Sequence, residues 1–340
     1  MDEQDKAGFI DALRDYTDSV GLRYFYILIY SLTEEIIWES NKTDISIMLN
    51  FSENTITLAC NSFVDIKNCL NFVTVKALSE LFEFTINNEH YVYEKGVLVS
   101  KTDIVDTDPG LLKIMFRPDK TIFSYENIDY YVILKRIREL AQLNENVKFF
   151  LSDDENTNVF QFSQGLEAML IENFCYFDLG VSFDLGALNP SPLNINFVEN
   201  DIEVSVSMIY RRNAEIRLSY LDNMRTFDDG THVQGLYDGV FRAFKSYLEN
   251  HSDSDIKIIK KDIIKRLNFV VHIKYNNPKI PKFSGVAMRE ITNKKYRVAV
   301  RNGVYIKLSE ILQSDQSFLE TSGVISSAEV MKLHQAKNYR

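Results

Sequence analysis

The chain has 340 residues, is 45% apolar and 25% charged, and carries a net charge of −10. That is length for two ordinary domains, each with its own core, and a composition unlike that of a disordered or fibrous polymer. No apolar run approaches the ~20 residues of a membrane span. The acidic opening MDEQDKAGFIDALRDYTDSV contains no signal-peptide core. Cys60, Cys69 and Cys175 form no CxxC, and no two histidines take ligand spacing. These features point to a cytoplasmic protein with buried thiols and no metal site. Charge is uneven: residues 1–155 hold 27 acidic and 15 basic side chains, net −12, and residues 156–340 hold 21 and 23, net +2.

In chain order, residues 7–20 read as a short helix. LRYFYILIYSLTEEIIWES follows and is apolar nearly all round, as a buried helix is. DISIMLNF alternates, Glu53-Asn54 turns, and TITLAC returns as a hairpin partner. FVTVKALSELFEF predicts a helix running into a strand, HYVYEKGVLV a strand with a Gly turn, and LLKIMFRP a strand ended by Pro118. YYVILKRIRELAQLN predicts a helix, and VKFFLSD closes the first unit. Ser152–Asn158, polar and acidic, reads as the linker. Beyond it lie a helix (FSQGLEAMLIENF), a loop at 180–192, and a meander through INFVENDIEVSVSMIYRRNAEIRLSYLD. A helix over Thr231–Asn250 comes next, N-capped by Thr231, with Leu236, Val240, Phe244 and Tyr247 on its apolar stripe. The strand RLNFVVHIKY, a loop from Asn277-Pro278 and ITNKKYRVAVRNGVYIKLSEIL end the second unit. The basic runs Lys257–Arg266 and Arg289–Arg301 read as solvated faces rather than DNA contacts. Strand–helix alternation with hairpins predicts α+β layers, with domains over 1–155 and 156–340.

The stretch Ser219–Leu248 carries the most information. Asp222-Asn223-Met224-x-Thr226, then Asp229-Gly230-Thr231-His232 and Gly235-Leu236, resemble the NNI-T-x-x-GGTH-x-x-GF segment of the transducer domain of the DNA gyrase B and topoisomerase IV B proteins. VKALSELFEF, FRPDKTIF, RIRELAQLN and KDIIKRLNFVVHIKYNNPK resemble further segments of that family, in family order. The resemblance spans nearly the whole chain. It implies a GHKL-type α/β sandwich followed by a transducer-like α+β domain, and no Toprim domain.

The family's ATP chemistry needs a carboxylate base, a magnesium-binding Asn, an adenine-reading Asp, Gly-rich phosphate loops and a transducer Lys. Carried over by the resemblance, the base falls on Leu28 and the metal Asn on Leu32. The adenine-reading Asp falls on Cys60, beside Asn61, and the first motif Gly on Ser62. The second adenine-side Thr falls on Leu112, and the transducer Gln and Lys on Val286 and Met288. Glu34 and Glu35 lie too far along the helix to replace the base and read as surface charges. Where the family has a long lid, Asp65 and Val75 stand ten positions apart.

Two readings follow. In the first, the chain is a pseudo-ATPase without catalytic residues, cofactor or metal, acting through a protein partner or as a homodimer, with weak or no DNA binding and no membrane. In the second, the cleft lined by Leu28, Leu32, Cys60, Asn61, Leu112 and Met288 is reused for an apolar ligand or a new reaction, for example in small-molecule biosynthesis. Asp222, Asn223, Thr231 and His232 hold the transducer turn in either case. A packed cleft favours the first reading and an open apolar one the second.

Overall fold

A computed structural model describes residues 25–40, 44–62, 66–67, 69–86, 88–104, 112–123, 130–177, 191–211, 215–251, 258–275 and 290–325. For residues 25–27, 31, 70, 175–177 and 275 it describes the backbone alone. The expected helix at 7–20, most of the loop at 180–192, the Asn277-Pro278 loop, and Val286 and Met288 lie outside the described residues.

The chain divides into two compact units, Met1–Ser163 and Gln164–Arg340. The first contains α1 (Phe25–Ser40), β1 (Asp44–Asn50), β2 (Thr55–Cys60), α2 (Leu70–Ala77), β3 (Ser79–Ile86), β4 (Glu89–Glu94), β5 (Val97–Asp103), β6 (Leu112–Pro118), α3 (Tyr130–Leu143), β7 (Lys148–Ser152) and β8 (Thr157–Phe160). Among the described residues its eight strands form one sheet in the order β5-β4-β3-β6-β2-β1-β7-β8. All neighbours are antiparallel except β1 and β7. Alternation decides which face is buried. Ile45, Ile47 and Leu49 of β1 and Leu112, Ile114 and Phe116 of β6 share one core with Ile29, Leu32 and Ile36 of α1 and Ile133, Ile137 and Leu140 of α3. Phe72 of α2 meets Phe82 and Phe84 of β3 edge-on, each at 5.1 Å between ring centres. The β1–β2 turn places Asn54 at φ 55, a conformation that Asn tolerates better than most residues.

Ser152–Asn158 is a hairpin turn, not a linker. Asp153 Oδ1 accepts the backbone N–H groups of Glu155 (2.9 Å) and Asn156 (2.6 Å), and Ser152 then pairs with Thr157. Turns and linkers draw on the same small polar residues, so composition placed the boundary too early. β8 adds a strand to the first sheet and buries Phe160 in its core.

The second unit contains α4 (Gly165–Phe177), β9 (Leu193–Glu199), β10 (Ile202–Tyr210), β11 (Arg217–Leu221), β12 (Met224–Arg225), α5 (Thr231–His251), α6 (Lys260–Lys265), β13 (Leu267–Tyr275), α7 (Lys294–Ser314) and α8 (Ser317–Ser322). Its sheet runs β12-β11-β13-β10-β9. The expected meander is therefore wrong beyond β10. β13 inserts between β10 and β11, antiparallel to the first and parallel to the second. β11, α5 and β13 form a crossover whose helix carries the predicted stripe, with Leu236, Val240 and Phe244 fully buried. Helices α5 and α7 approach closely because Gly235 and Gly239 lack side chains. A Cβ at Gly235 would lie 2.6 Å from the Arg297 carbonyl oxygen, and one at Gly239 would lie 2.8 Å from Val304 Cβ.

Candidate functional site

Leu28 and Leu32 stand one helical turn apart on α1, and Cys60 and Leu112 are cross-strand partners at the ends of β2 and β6. The four side chains belong to the same apolar core and are 5%, 0%, 1% and 1% exposed. Side chains lining a cleft that admits a ligand would be wetted; these meet other apolar groups. The Cys60 thiol donates to the Ser62 carbonyl at 3.4 Å. Burial pushes its pKa up, against the lowering effect of backbone hydrogen bonds from Ser62 and Leu112. A buried, protonated thiol is a small hydrophobe rather than a nucleophile. Asn61 is exposed, and its Oδ1 accepts the Asp44 backbone N–H at 3.0 Å, joining the end of β2 to the start of β1.

Glu34 and Glu35 are not free surface charges. Glu34 pairs with the largely buried Arg136 at 2.9 Å, and Arg136 also grips Glu139. Glu35 accepts from the Asn71 amide at 2.7 Å. Ile66 and Lys67, between β2 and α2, are pinned as well. Ile66 is fully buried, and Lys67 lies 4.6 Å from the centre of the Tyr91 ring, 3.3 Å from its hydroxyl and 3.8 Å from Glu89.

Thiol burial differs from expectation at Cys69, which is only half-buried; the Cys175 side chain lies outside the described set. Cys69 also brings a grouping that the sequence did not signal. Glu35, Glu39 and Cys69 place possible ligand atoms within 4.8 Å of one another. No spacing motif reveals it, because the cysteine comes from a separate element. Glu39 is exposed and the other two half-buried, which is also how acidic surface groups without a metal look.

The transducer-like turn is a second polar centre. The Thr226 backbone N–H donates to the Ser219 carbonyl at 2.8 Å. Their hydroxyls bond to each other, and Ser219 Oγ lies 3.5 Å from Asp229 Oδ1. Asp222 and Asp229 take left-handed φ of 51° and 60°. Burial raises the Asp229 carboxyl above its ordinary pKa, helped by Asp228 and opposed by Arg217 and Ser219. Gly230, not Thr231, holds the N-cap position: its carbonyl accepts the Gln234 N–H, while the Thr231 hydroxyl donates to the Asn293 carbonyl at 2.8 Å. His232 is fully buried with Nε2 3.4 Å from Thr226 Oγ1, and its Nδ1 has no partner among the described residues. Burial pushes its pKa down to about 3. Asp222 and Asn223 turn the chain from β11 into β12, and the Asp222 carbonyl accepts from His272 Nε2 at 2.6 Å. These contacts hold a turn, and the Thr226 hydroxyl beside the neutral His232 ring is itself buried, 2% exposed.

The two basic runs converge on one carboxylate. Lys260 of α6 and Arg297 of α7 both bond to Asp238 of α5, with Arg297 Nε at 2.8 Å. Burial would raise the Asp238 pKa, and the two cations outweigh it and hold the carboxyl below its ordinary range.

The DNA gyrase B family model matches residues 171–336 of this chain. The DNA gyrase B protein of Eisenibacter elegans is 29% identical over 254 residues, covering 70% of this chain and 50% of that protein. The DNA gyrase B protein of Staphylococcus epidermidis is 30% identical over 241 residues, covering 66% and 36%. The chain thus spans half or less of the length of these relatives. In fold it is similar to the ATP-binding domain of Francisella tularensis topoisomerase IV, solved with a small-molecule inhibitor (TM-score 0.72, 22% identity, 93% of this chain and 92% of that one). It is similar too to the 43K ATPase domain of Thermus thermophilus gyrase B, solved with an aminocoumarin (TM-score 0.69, 20% identity, 92% and 89%). The mixed α+β architecture is the one shared by these GHKL ATPase structures, and the chain is a relative of DNA gyrase B over its N-terminal and transducer region.

Proposed function

We propose that this chain is a gyrase-B-like pseudo-ATPase, cytoplasmic, that works through protein surfaces as a homodimer or as a partner, decoy or regulator of a topoisomerase or other complex. The observation that carries the reading is the packing of Leu28, Leu32, Cys60 and Leu112 into the core, at positions where the family resemblance calls for a base, a metal ligand and adenine contacts. A triphosphate placed there would meet apolar side chains instead of N–H donors and cations, and its oxygens would stay undersatisfied. The same packing counts against reuse of these positions for an apolar ligand. Isothermal titration with a non-hydrolysable ATP analogue and magnesium is expected to give no heat of binding; micromolar affinity would overturn the reading.

Duplex DNA is expected to bind weakly or not at all. The first 155 residues, at net −12, repel phosphate. In the remainder, Lys260 and Arg297 are spent on Asp238. Fluorescence anisotropy with a labelled duplex at low salt measures this. Tight binding that weakens steeply with added salt would point to DNA handling instead.

A further inference from the structure

Among the described residues β5 is one edge of the first unit's sheet, with no strand beyond it, and none of its seven residues is buried. Val97, Leu98 and Val99 are 64%, 50% and 57% exposed. An edge strand offers unpaired backbone groups to any other strand, and proteins commonly blunt such edges with bulges and charges. Here the bulge sits at Val99, because Val92 faces Ser100 while Tyr93 faces Leu98. Beyond the bulge the strand is regular. Ile104 donates its N–H inward to the Asn88 carbonyl at 2.8 Å. By the alternation of an antiparallel ladder, the N–H and C=O groups of Lys101 and Asp103 then face the open edge. Asp103 stands directly across from Glu89 on β4, and like charges so placed repel. Glu89 is answered by Lys101 at 2.5 Å and Lys67 at 3.8 Å. The Asp103 carboxylate has no hydrogen bond or ion pair among the described residues.

We propose that β5 pairs with the β5 of a second copy of this chain, antiparallel, about a two-fold axis through Thr102. In this register Lys101 faces the second copy's Asp103, and Asp103 faces its Lys101. The outward-facing residues meet as hydrogen-bonded pairs and the bulge stays outside the pairing. Lys-Thr-Asp is its own charge complement when two copies run in opposite directions. The contact is isologous and closed, as two-fold dimers are. It rests on the self-association part of the proposed function and gives that reading a surface.

Sedimentation of the full chain at rising concentration, without nucleotide, is expected to show a monomer–dimer equilibrium. Asp103→Lys opposes two lysines twice over and should raise the dimer Kd by about tenfold or more. Adding Lys101→Asp to it reverses both charges and should restore dimerisation. Thr102→Cys should give an oxidant-dependent covalent dimer that the parent chain does not, because the paired Cα atoms lie at disulfide distance. Circular dichroism confirms that each variant is folded. A chain that is monomeric throughout, including one whose edge accepts a foreign strand instead, overturns the proposal. So does a dimer indifferent to both charge variants and to Thr102→Cys, although self-association would then survive on another surface. The titration with the ATP analogue decides the pseudo-ATPase reading separately.

Discussion

Gly230→Ala is expected to destabilise the second unit by about 3 kcal/mol or more, from backbone strain and overpacking together. Gly230 sits at φ +141°, a region open almost only to glycine. The new Cβ would stand 2.6 Å from the Ile291 carbonyl oxygen and 2.8 Å from its nitrogen. Those atoms belong to backbone and cannot swing aside. Gly230 forms a parallel bridge with Ile291, whose carbonyl also accepts the Thr231 N–H at 2.8 Å. The start of α5 and the segment leading into α7 are held through this contact, so relaxing the clash means breaking it. Thr231→Ala, next along the chain, removes the hydroxyl bond to Asn293 and should cost only about 1 kcal/mol. Urea unfolding of the two variants at pH 7 provides the comparison. Equal losses, or a Gly230→Ala loss under about 1 kcal/mol, would mean the chain takes another path through this corner.

The second large effect is acid lability of the same unit. Burial pushes the pKa of His232 down to about 3. Burial first, then the nearby Lys274 charge, pushes His272 down to about 3 as well, although its bond to the Asp222 carbonyl works the other way. A histidine with a folded pKa below its unfolded one stabilises the fold while it is neutral. Its contribution is complete above the unfolded pKa of about 6.5 and is lost progressively as pH falls from there toward about 3. At pH 5 each histidine should have cost about 2 kcal/mol, roughly 4 kcal/mol for the pair. Denaturant unfolding at pH 7 and pH 5 measures the loss. His232→Gln and His272→Gln should each flatten the pH dependence by about half. A double variant that loses as much stability between those pH values as the parent would assign the acid lability to other groups.

Local order was legible in the chain itself. Alternation in DISIMLN and TITLAC, with Asn54 between them, specified the β1–β2 hairpin, because a strand's inward face and a turn's left-handed residue are both written in adjacent positions. Leu236, Val240 and Phe244 marked the buried side of α5 for the same reason. The segment through Asp222, Gly230 and His232 carried the family resemblance, and Leu28, Leu32, Cys60 and Leu112 were legible as apolar where that resemblance calls for polar groups. Pairing between distant segments was not written locally. β11 has the same apolar character whether it meets β10 or β13, and only the crossover through α5 brings it beside β13. Asp153 could open a linker or a hairpin turn, and the strand returning to β7 decided for the turn. Gly230 became the N-cap, and Thr231 a bridge to Asn293, because the segment leading into α7 packs there. Tertiary packing likewise turned the four apolar residues of the expected cleft into core. An apolar side chain reads the same in sequence whether it lines a cavity or fills one, and only its neighbours in space remove the water.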